Sequence, residues 1–375
     1  MKVYVSAIAA SLPESAFSTA DLLTAFGHKL SPDLVKTIHT LGIDKRYSVL
    51  SNYPEFLLGK KMCPTTSATN LGARAVRQCL EQANTNPSDV GLLIAASNTQ
   101  SRLLPGLASD VMASLNGLLQ PSISLINMQG QGCSALLKAV EVAKWYLGAN
   151  PTKKVLVLVS EAHTPYGHQI MDEQYYSFRE VKKIGGSQSE QSAKIQGTQE
   201  VIQNMLFGDG AVALLLGANE SRLAFGPICH LTNEKPEDVN LLVMEKGGSE
   251  HPFVDGRPKY VMKPGVPQLG AAYAANSVKA VLEHPESSIS CVDQATICLI
   301  HTGSGKILNE VSAQLGLPSN SPKVSASYAV LRDYGNLSSA SVGFMLLDNN
   351  FNKGAGIMVS FGVGFSASTG VFTFQ

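Results

Sequence analysis

Apolar runs of seven to ten residues recur through the chain: VGLLIAAS at 90–97, KVLVLVS at 154–160, AVALLLG at 211–217, ATICLIH at 295–301, SVGFMLL at 341–347 and AGIMVSFGVG at 355–364. Each reads as a buried strand. Between them lie ATNLGARAVRQCLEQA, CSALLKAVEVAKWYLG and AAYAANSVKAVLEH, which read as helices. Alternation of this kind predicts an α/β architecture in which helices cover sheets. The opening stretch MKVYVSAIAASLPE reads as one more strand, because its apolar part is too short for a signal peptide.

A chain of 375 residues suits two fused units or one large α/β domain. The segment 73–100 has the same plan as 276–305: a helix, a polar connector with an acidic residue, a buried strand, then a polar turn. This predicts two similar halves, 1–220 and 221–375, joined near residue 220. The first half is interrupted over about 163–204, where REVKKIGGSQSEQSAKIQGTQE (179–200) is polar and reads as a mobile surface loop or cap.

Charge narrows the class. Lys and Arg number 29, Asp and Glu 29, and the cations are scattered. That argues against nucleic acid and against a polybasic membrane surface as partners. No apolar run is long enough for a membrane span. The six cysteines form no C-x-x-C pair, so no metal site is expected. The expectation is a reducing, cytoplasmic enzyme.

Cys133 follows Gly-Gln-Gly and opens an apolar helix of about fifteen residues. A helix start carries free N–H groups and a partial positive charge, which lower a thiol's pKa. A buried free thiol fits the same position. His301 stands where a buried strand runs into HTGSG, and fits either a working strand end or a core histidine. GSGK fails as a phosphate loop because Ile307 follows Lys306. Asn336, in YGNLSSAS, fits a tight turn into a close-packed helix or a plain cap. FGDGA is an Asp-Gly turn ahead of a strand. FGVGF is a Gly-rich turn whose N–H groups suit an oxyanion. Glu161, in VSEAH, reads as a strand-end cap rather than an extra base.

GQGCSA, FGDGA, HTGSGKIL, GNLSSAS and SFGVGF occur in the order and rough spacing seen in thiolase-fold condensing enzymes. ASLPE, STADLL and LGIDKRY resemble the amino terminus of beta-ketoacyl synthase III, and LLPGLASDVMASLNGL has counterparts there and in chalcone-synthase-like type III polyketide synthases. The resemblance covers nearly the whole chain. It implies two duplicated βαβαβαββ halves in a five-layered α-β-α-β-α sandwich, and a homodimer. Cys133, His301 and Asn336 are then the catalytic residues, with the backbone N–H groups of Cys133 and Val363 as the oxyanion hole. Phe207 is a gate beside the site. Lys45 and Arg46 contact the phosphates of coenzyme A or of an acyl carrier protein. No cofactor is implied, since coenzyme A or phosphopantetheine thioesters are the substrates.

The implied reaction is decarboxylative Claisen condensation of an acyl group on Cys133 with a malonyl- or beta-ketoacyl-thioester, in fatty-acid-like or polyketide biosynthesis. Acyl transfer to oxygen or nitrogen, the joining of two acyl chains without elongation, and a non-catalytic partner subunit are the competing readings. A cysteine peptidase shares the order Cys, His, Asn but gives FGDGA and GNLSSAS no role. Departures fall at the His turn, which reads HTGSG; at Val363, where beta-ketoacyl synthase III usually has Gly; and at 179–200 and 250–260, regions that line the acyl tunnel in relatives.

Overall fold

The structure, a computed structural model, describes all residues except 1, 172, 245–259, 264, 348–350 and 352. Most of the segment 250–260 therefore lies outside the described residues. Serine side chains start the early helices. After β1 (Val3–Ser11) and β2 (Ser15–Ser18), Ser18 caps α1 (Thr19–Phe26) and Ser31 caps α2 (Pro32–His39), each accepting a free first-turn N–H. β3 (Lys45–Ser48) pairs with β2 and leads to the short α3 (Tyr53–Leu57). Ser67 caps α4 (Ala68–Ala83).

Next come β4 (Val90–Ser97), α5 (Leu107–Ser114), β5 (Ser124–Gln129), α6 (Ala135–Ala149), β6 (Lys154–Glu161), α7 (Phe178–Ile184), α8 (Gln188–Leu206) and β7 (Gly210–Gly217). β8 (Leu223–Thr232) is followed by the paired strands β9 (Leu242–Met244) and β10 (Tyr260–Met262). The chain ends with α9 (Val266–Leu282), β11 (Ile297–Ile300), α10 (Gly305–Gln314), α11 (Ser325–Tyr334), α12 (Ser341–Phe344), β12 (Gly354–Gly362) and β13 (Ser366–Phe374).

Among the described residues, nine strands form one mixed sheet in the order β5-β4-β6-β7-β1-β8-β13-β12-β11. Its seam is the antiparallel β1–β8 pair, with Val3 opposite Phe225 and Val5 opposite Leu223. Outward from the seam the two flanks repeat. β1 meets antiparallel β7, then β6, then parallel β4. β8 meets antiparallel β13, then β12, then parallel β11.

Period-two alternation splits β6 between two cores: Leu156 and Leu158 join α4, whereas Val155, Val157 and Val159 join α6. α6 packs on β4 and β6 of one flank and on β8 and β13 of the other, and α12 packs on β7 and β12. α4 covers the far face of the first flank and α9 that of the second. The layers run α-β-α-β-α, with α6 and α12 central. Each fully buried Val or Leu contributes about 1.5–3 kcal/mol to this packing.

Two expectations change. SVGFMLL is not a strand; it begins with the one-turn helix α12, buried throughout. A short apolar run buried on all sides has no period to separate helix from strand. The segment 179–200 is not a loop. It belongs to α7 and α8, which start with reciprocal capping boxes, Ser177 with Glu180 and Ser187 with Glu190. α8 is polar because only its last turns bury residues, Thr198, Val201, Asn204 and Met205.

Candidate active site

The two Gly-rich turns at the strand ends meet. Gly132 has φ +59°, and a Cβ there would lie 2.6 Å from the Val363 nitrogen. A Cβ on Gly362 would lie 2.6 Å from the Cys133 nitrogen and 3.4 Å from its Sγ. Any side chain at either position would push the two backbones apart, so the glycines are required for the close approach. Cys133 itself sits in a 3-10 turn, Gly132–Ser134, leading directly into α6.

His301 follows β11 and is 2% exposed; its Nδ1 has no hydrogen-bond partner among the described residues. Asn336 is held on both sides by LFGDGA: its N–H donates to the Leu206 carbonyl (2.9 Å), and its carbonyl accepts from the Gly208 N–H (3.1 Å). Its Oδ1 accepts from the Ser338 N–H at 2.8 Å. That leaves the Nδ2 hydrogens as the side chain's donors. Asp209 of the same turn accepts from the N–H groups of Val49 (2.8 Å) and Thr164 (2.9 Å), tying the turn to β3 and to the loop after β6.

Cys133, His301, Asn336, Phe207 and Val363 all line one cavity of about 310 Å³. α8, β9 and β10 form much of its opposite wall, with Ile202, Leu206, Leu242 and Met262 supplying hydrocarbon. Gln199 and Gln203 of α8 donate to the Met262 and Tyr260 carbonyls at 2.8 and 3.0 Å, fastening β10 to α8.

Lys45 and Arg46 are placed elsewhere. Neither lines the cavity. The Lys45 ammonium lies 5.0 Å over the Tyr47 ring. Arg46 is fully buried and donates to Thr19 Oγ1 (2.7 Å) and the Met205 carbonyl (3.1 Å). Burial lowers its pKa to about 10. A guanidinium enclosed by its own chain cannot reach a carrier's phosphate, so Arg46 is a structural clasp.

Electrostatics also differ from the sequence reading. Burial pushes the Cys133 thiol up to about 12; the Ser338 hydroxyl, 3.7 Å from Sγ, acts in the opposite sense, and Glu161 adds to the rise. Burial takes His301 down to about 3. On this balance the resting pair is a neutral thiol and a neutral imidazole.

The sequence reading missed Asn98. Its Oδ1 accepts from the Gly132 N–H (3.1 Å), and its Nδ2 donates to Glu161 Oε1 (2.9 Å) and to Ser338 Oγ (3.2 Å). Glu161 is fully buried and takes further bonds from Thr99 Oγ1 (2.7 Å), the Asn98 N–H (3.0 Å) and the Ser339 hydroxyl. The carboxylate thus joins the Cys133 turn to the turn after Asn336. No local motif marks Asn98; only its place at the end of β4, matching His301 at the end of β11, would have drawn attention to it.

A thiol, an imidazole and an amide facing one largely hydrocarbon cavity, on a five-layered duplicated sandwich, define an acyl-thioester condensing enzyme. The model for FAE1/type III polyketide synthase-like proteins matches residues 53–170, and that for the C-terminal domain of chalcone and stilbene synthases matches 265–373. A 3,5-dihydroxyphenylacetyl-CoA synthase of Amycolatopsis orientalis is 25% identical over 345 residues, 89% of this chain and 82% of that protein. A beta-ketoacyl-[acyl-carrier-protein] synthase III of Porphyromonas gingivalis is 26% identical over 308 residues, 80% of this chain and 79% of the other.

The C-terminal type III polyketide synthase domain of Steely1 from Dictyostelium superposes with a TM-score of 0.77 at 17% identity, covering 100% of this chain and 99% of that one. The chain is thus similar over most of its length to the condensing enzymes of the type III polyketide synthase and beta-ketoacyl synthase III kind. It is an acyltransferase of that kind. Among the described residues no helix is long and apolar enough to cross a membrane, and no cluster of three or more His, Cys, Asp or Glu is placed to hold a metal ion.

Proposed function

We propose that Cys133 carries an acyl group and that His301 and Asn336 serve the decarboxylation of a malonyl-type thioester. The observation that carries this reading is the convergence of the three side chains on one buried cavity from three separate elements. In loading, the Cys133 thiol gives its proton to neutral His301 as sulfur attacks the thioester carbonyl. The N–H groups of Cys133 and Val363 hold the oxyanion, and the carrier thiolate leaves with the proton.

In condensation the second thioester loses carbon dioxide, and its electrons form an enolate. A neutral imidazole and the Asn336 amide donate to the enolate oxygen; a carboxylate there would repel it. The enolate carbon attacks the acyl carbonyl, the Cys133 thiolate departs, and a beta-keto thioester results. The carrier is coenzyme A or a phosphopantetheine arm, and Phe207 gates the acyl group beside Asn336.

The test separates the two steps. Cys133→Ala takes up no acyl mass in intact-protein mass spectrometry. Asn336→Ala still loads at close to the wild-type rate while product formation falls about a hundred- to a thousandfold. Equal loss of both steps in Asn336→Ala sinks its role at the enolate.

The same reading takes the chain as a homodimer. β5 is a sheet edge, Leu125 on it is 37% exposed, and the adjoining Leu103 and Leu104 are 66% and 84% exposed. Sedimentation of a monomer at micromolar concentration would refute this.

A further inference from the structure

Two polar side chains in the cavity have no part in that chemistry. His163 is 5% exposed, and neither ring nitrogen has a hydrogen-bond partner among the described residues. The Tyr260 hydroxyl is buried and equally unpartnered there. Buried polar atoms are nearly always paired, because an unpaired one is destabilising. Besides His301 Nδ1, three such atoms belong to residues that line the cavity holding Cys133.

Ring stacking fixes their orientation. His163 lies 4.4 Å from Phe207 at an interplanar angle of 12°, and Phe207 lies 5.8 Å from Tyr260 at 30°. The stack on Phe207 fixes the plane of the imidazole at the cavity wall, and a half-turn about χ2 exchanges its edges without unstacking it. Glu161 Oε2 is 3.7 Å from His163 Nε2, beyond hydrogen-bond reach, and burial lowers the imidazole's pKa. The neutral ring offers one N–H and one lone pair, and the phenol offers its O–H. The neighbouring wall is hydrocarbon from Ile202, Leu206 and Met262. A ligand matching this wall is mostly hydrocarbon and carries an oxygen at one place.

We propose that His163 and Tyr260 form a subsite for an oxygen on the acyl group, so that the enzyme selects oxo- or hydroxyacyl thioesters over the corresponding hydrocarbon acyl thioesters. The proposal deepens the reading above and rests on acylation of Cys133. A site built to bond a substrate oxygen rejects the analogue that lacks it, since the buried groups are then left unpaired.

The experiment times acyl-Cys133 formation by intact-protein mass spectrometry. It uses a panel of coenzyme A thioesters in matched sets of plain, oxo and hydroxy acyl chains of equal length. Wild-type protein loads at least one oxygenated member about tenfold or more faster than its plain counterpart. Preference for the oxo member assigns donation by Tyr260 or the imidazole N–H; preference for the hydroxy member adds the imidazole lone pair as acceptor. Tyr260→Phe and His163→Phe, which keep the rings, each shrink the ratio of oxygenated to plain rates. Equal rates across every set in the wild type, or a ratio that survives both substitutions together, overturns the subsite while leaving the acyl-Cys133 reading intact. If no thioester labels Cys133, that reading fails and the subsite falls with it.

Discussion

The two walls of the cavity are built differently. The wall bearing Cys133 and Asn336 rests on buried, multiply bonded polar groups: Asn98 and Glu161 link turns from both flanks of the sheet. The facing wall of α8 and β10 is joined by two glutamine-to-carbonyl bonds and apolar contact. The first arrangement fixes atoms in place, as decarboxylation demands of its donors. The second can be repacked one residue at a time without touching the nucleophile. The donors of the chemistry and the hydrocarbon wall that faces them are thus held by separate structures.

The sharpest way to break this contrast is Asn98→Ala. It leaves the Gly132 N–H and part of Glu161 without partners, at about 1–3 kcal/mol for each group. Denaturant unfolding should show a loss of several kcal/mol, with condensation falling alongside. A loss below about 1 kcal/mol would mean that the wall is not held through this residue.

Next comes pH. Folded His301 resists a proton down to about pH 3, whereas the unfolded chain accepts one near pH 6.5. Unfolding in that window takes up a proton, so stability falls as pH falls. The stability of wild type relative to His301→Gln should therefore decline from pH 7 to pH 4, by on the order of a few kcal/mol. A gap that does not move with pH would show that the imidazole ionises freely in the fold.

The smallest effect belongs to the facing wall. Gln199→Ala with Gln203→Ala should cost only about 1 kcal/mol for each bond. It should also speed proteolytic cleavage at the exposed Gly186 and change which acyl chains load. If this pair costs as much as Asn98→Ala, the two walls do not differ as described.

The same contrast governs what was legible in the sequence. Cys133, His301 and Asn336 stand in motifs because glycines and small residues must surround them for backbones to touch, and those leave a local record. The helix over 68–83 was legible because its apolar positions keep the helical period on a half-buried face. Asn98 and Glu161 left no such record: their partners lie up to 240 positions away, and no spacing along the chain encodes such a bond.

α7 and α8 escaped because burial, the usual source of a helical period, is confined to a few residues. Their capping boxes, SFRE and SQSE, were the readable sign. Arg46 misled because a charged side chain beside a known motif suggests solvent, whereas here it satisfies carbonyls in the interior. His163 and Tyr260 meet only in three dimensions, across strands far apart in the chain.

The β1–β8 seam has a consequence for synthesis. β1 precedes its partners β7 and β8 in the chain by about two hundred residues. Contacts so distant in sequence are slow to form. Cys133 emerges from the ribosome long before His301, Asn336 and Val363 exist. Until the last strands arrive, the thiol has neither its imidazole nor its second oxyanion donor. A chain cut before Val363 is therefore catalytically silent, and activity needs β12 and β13 in place as well as the nucleophile.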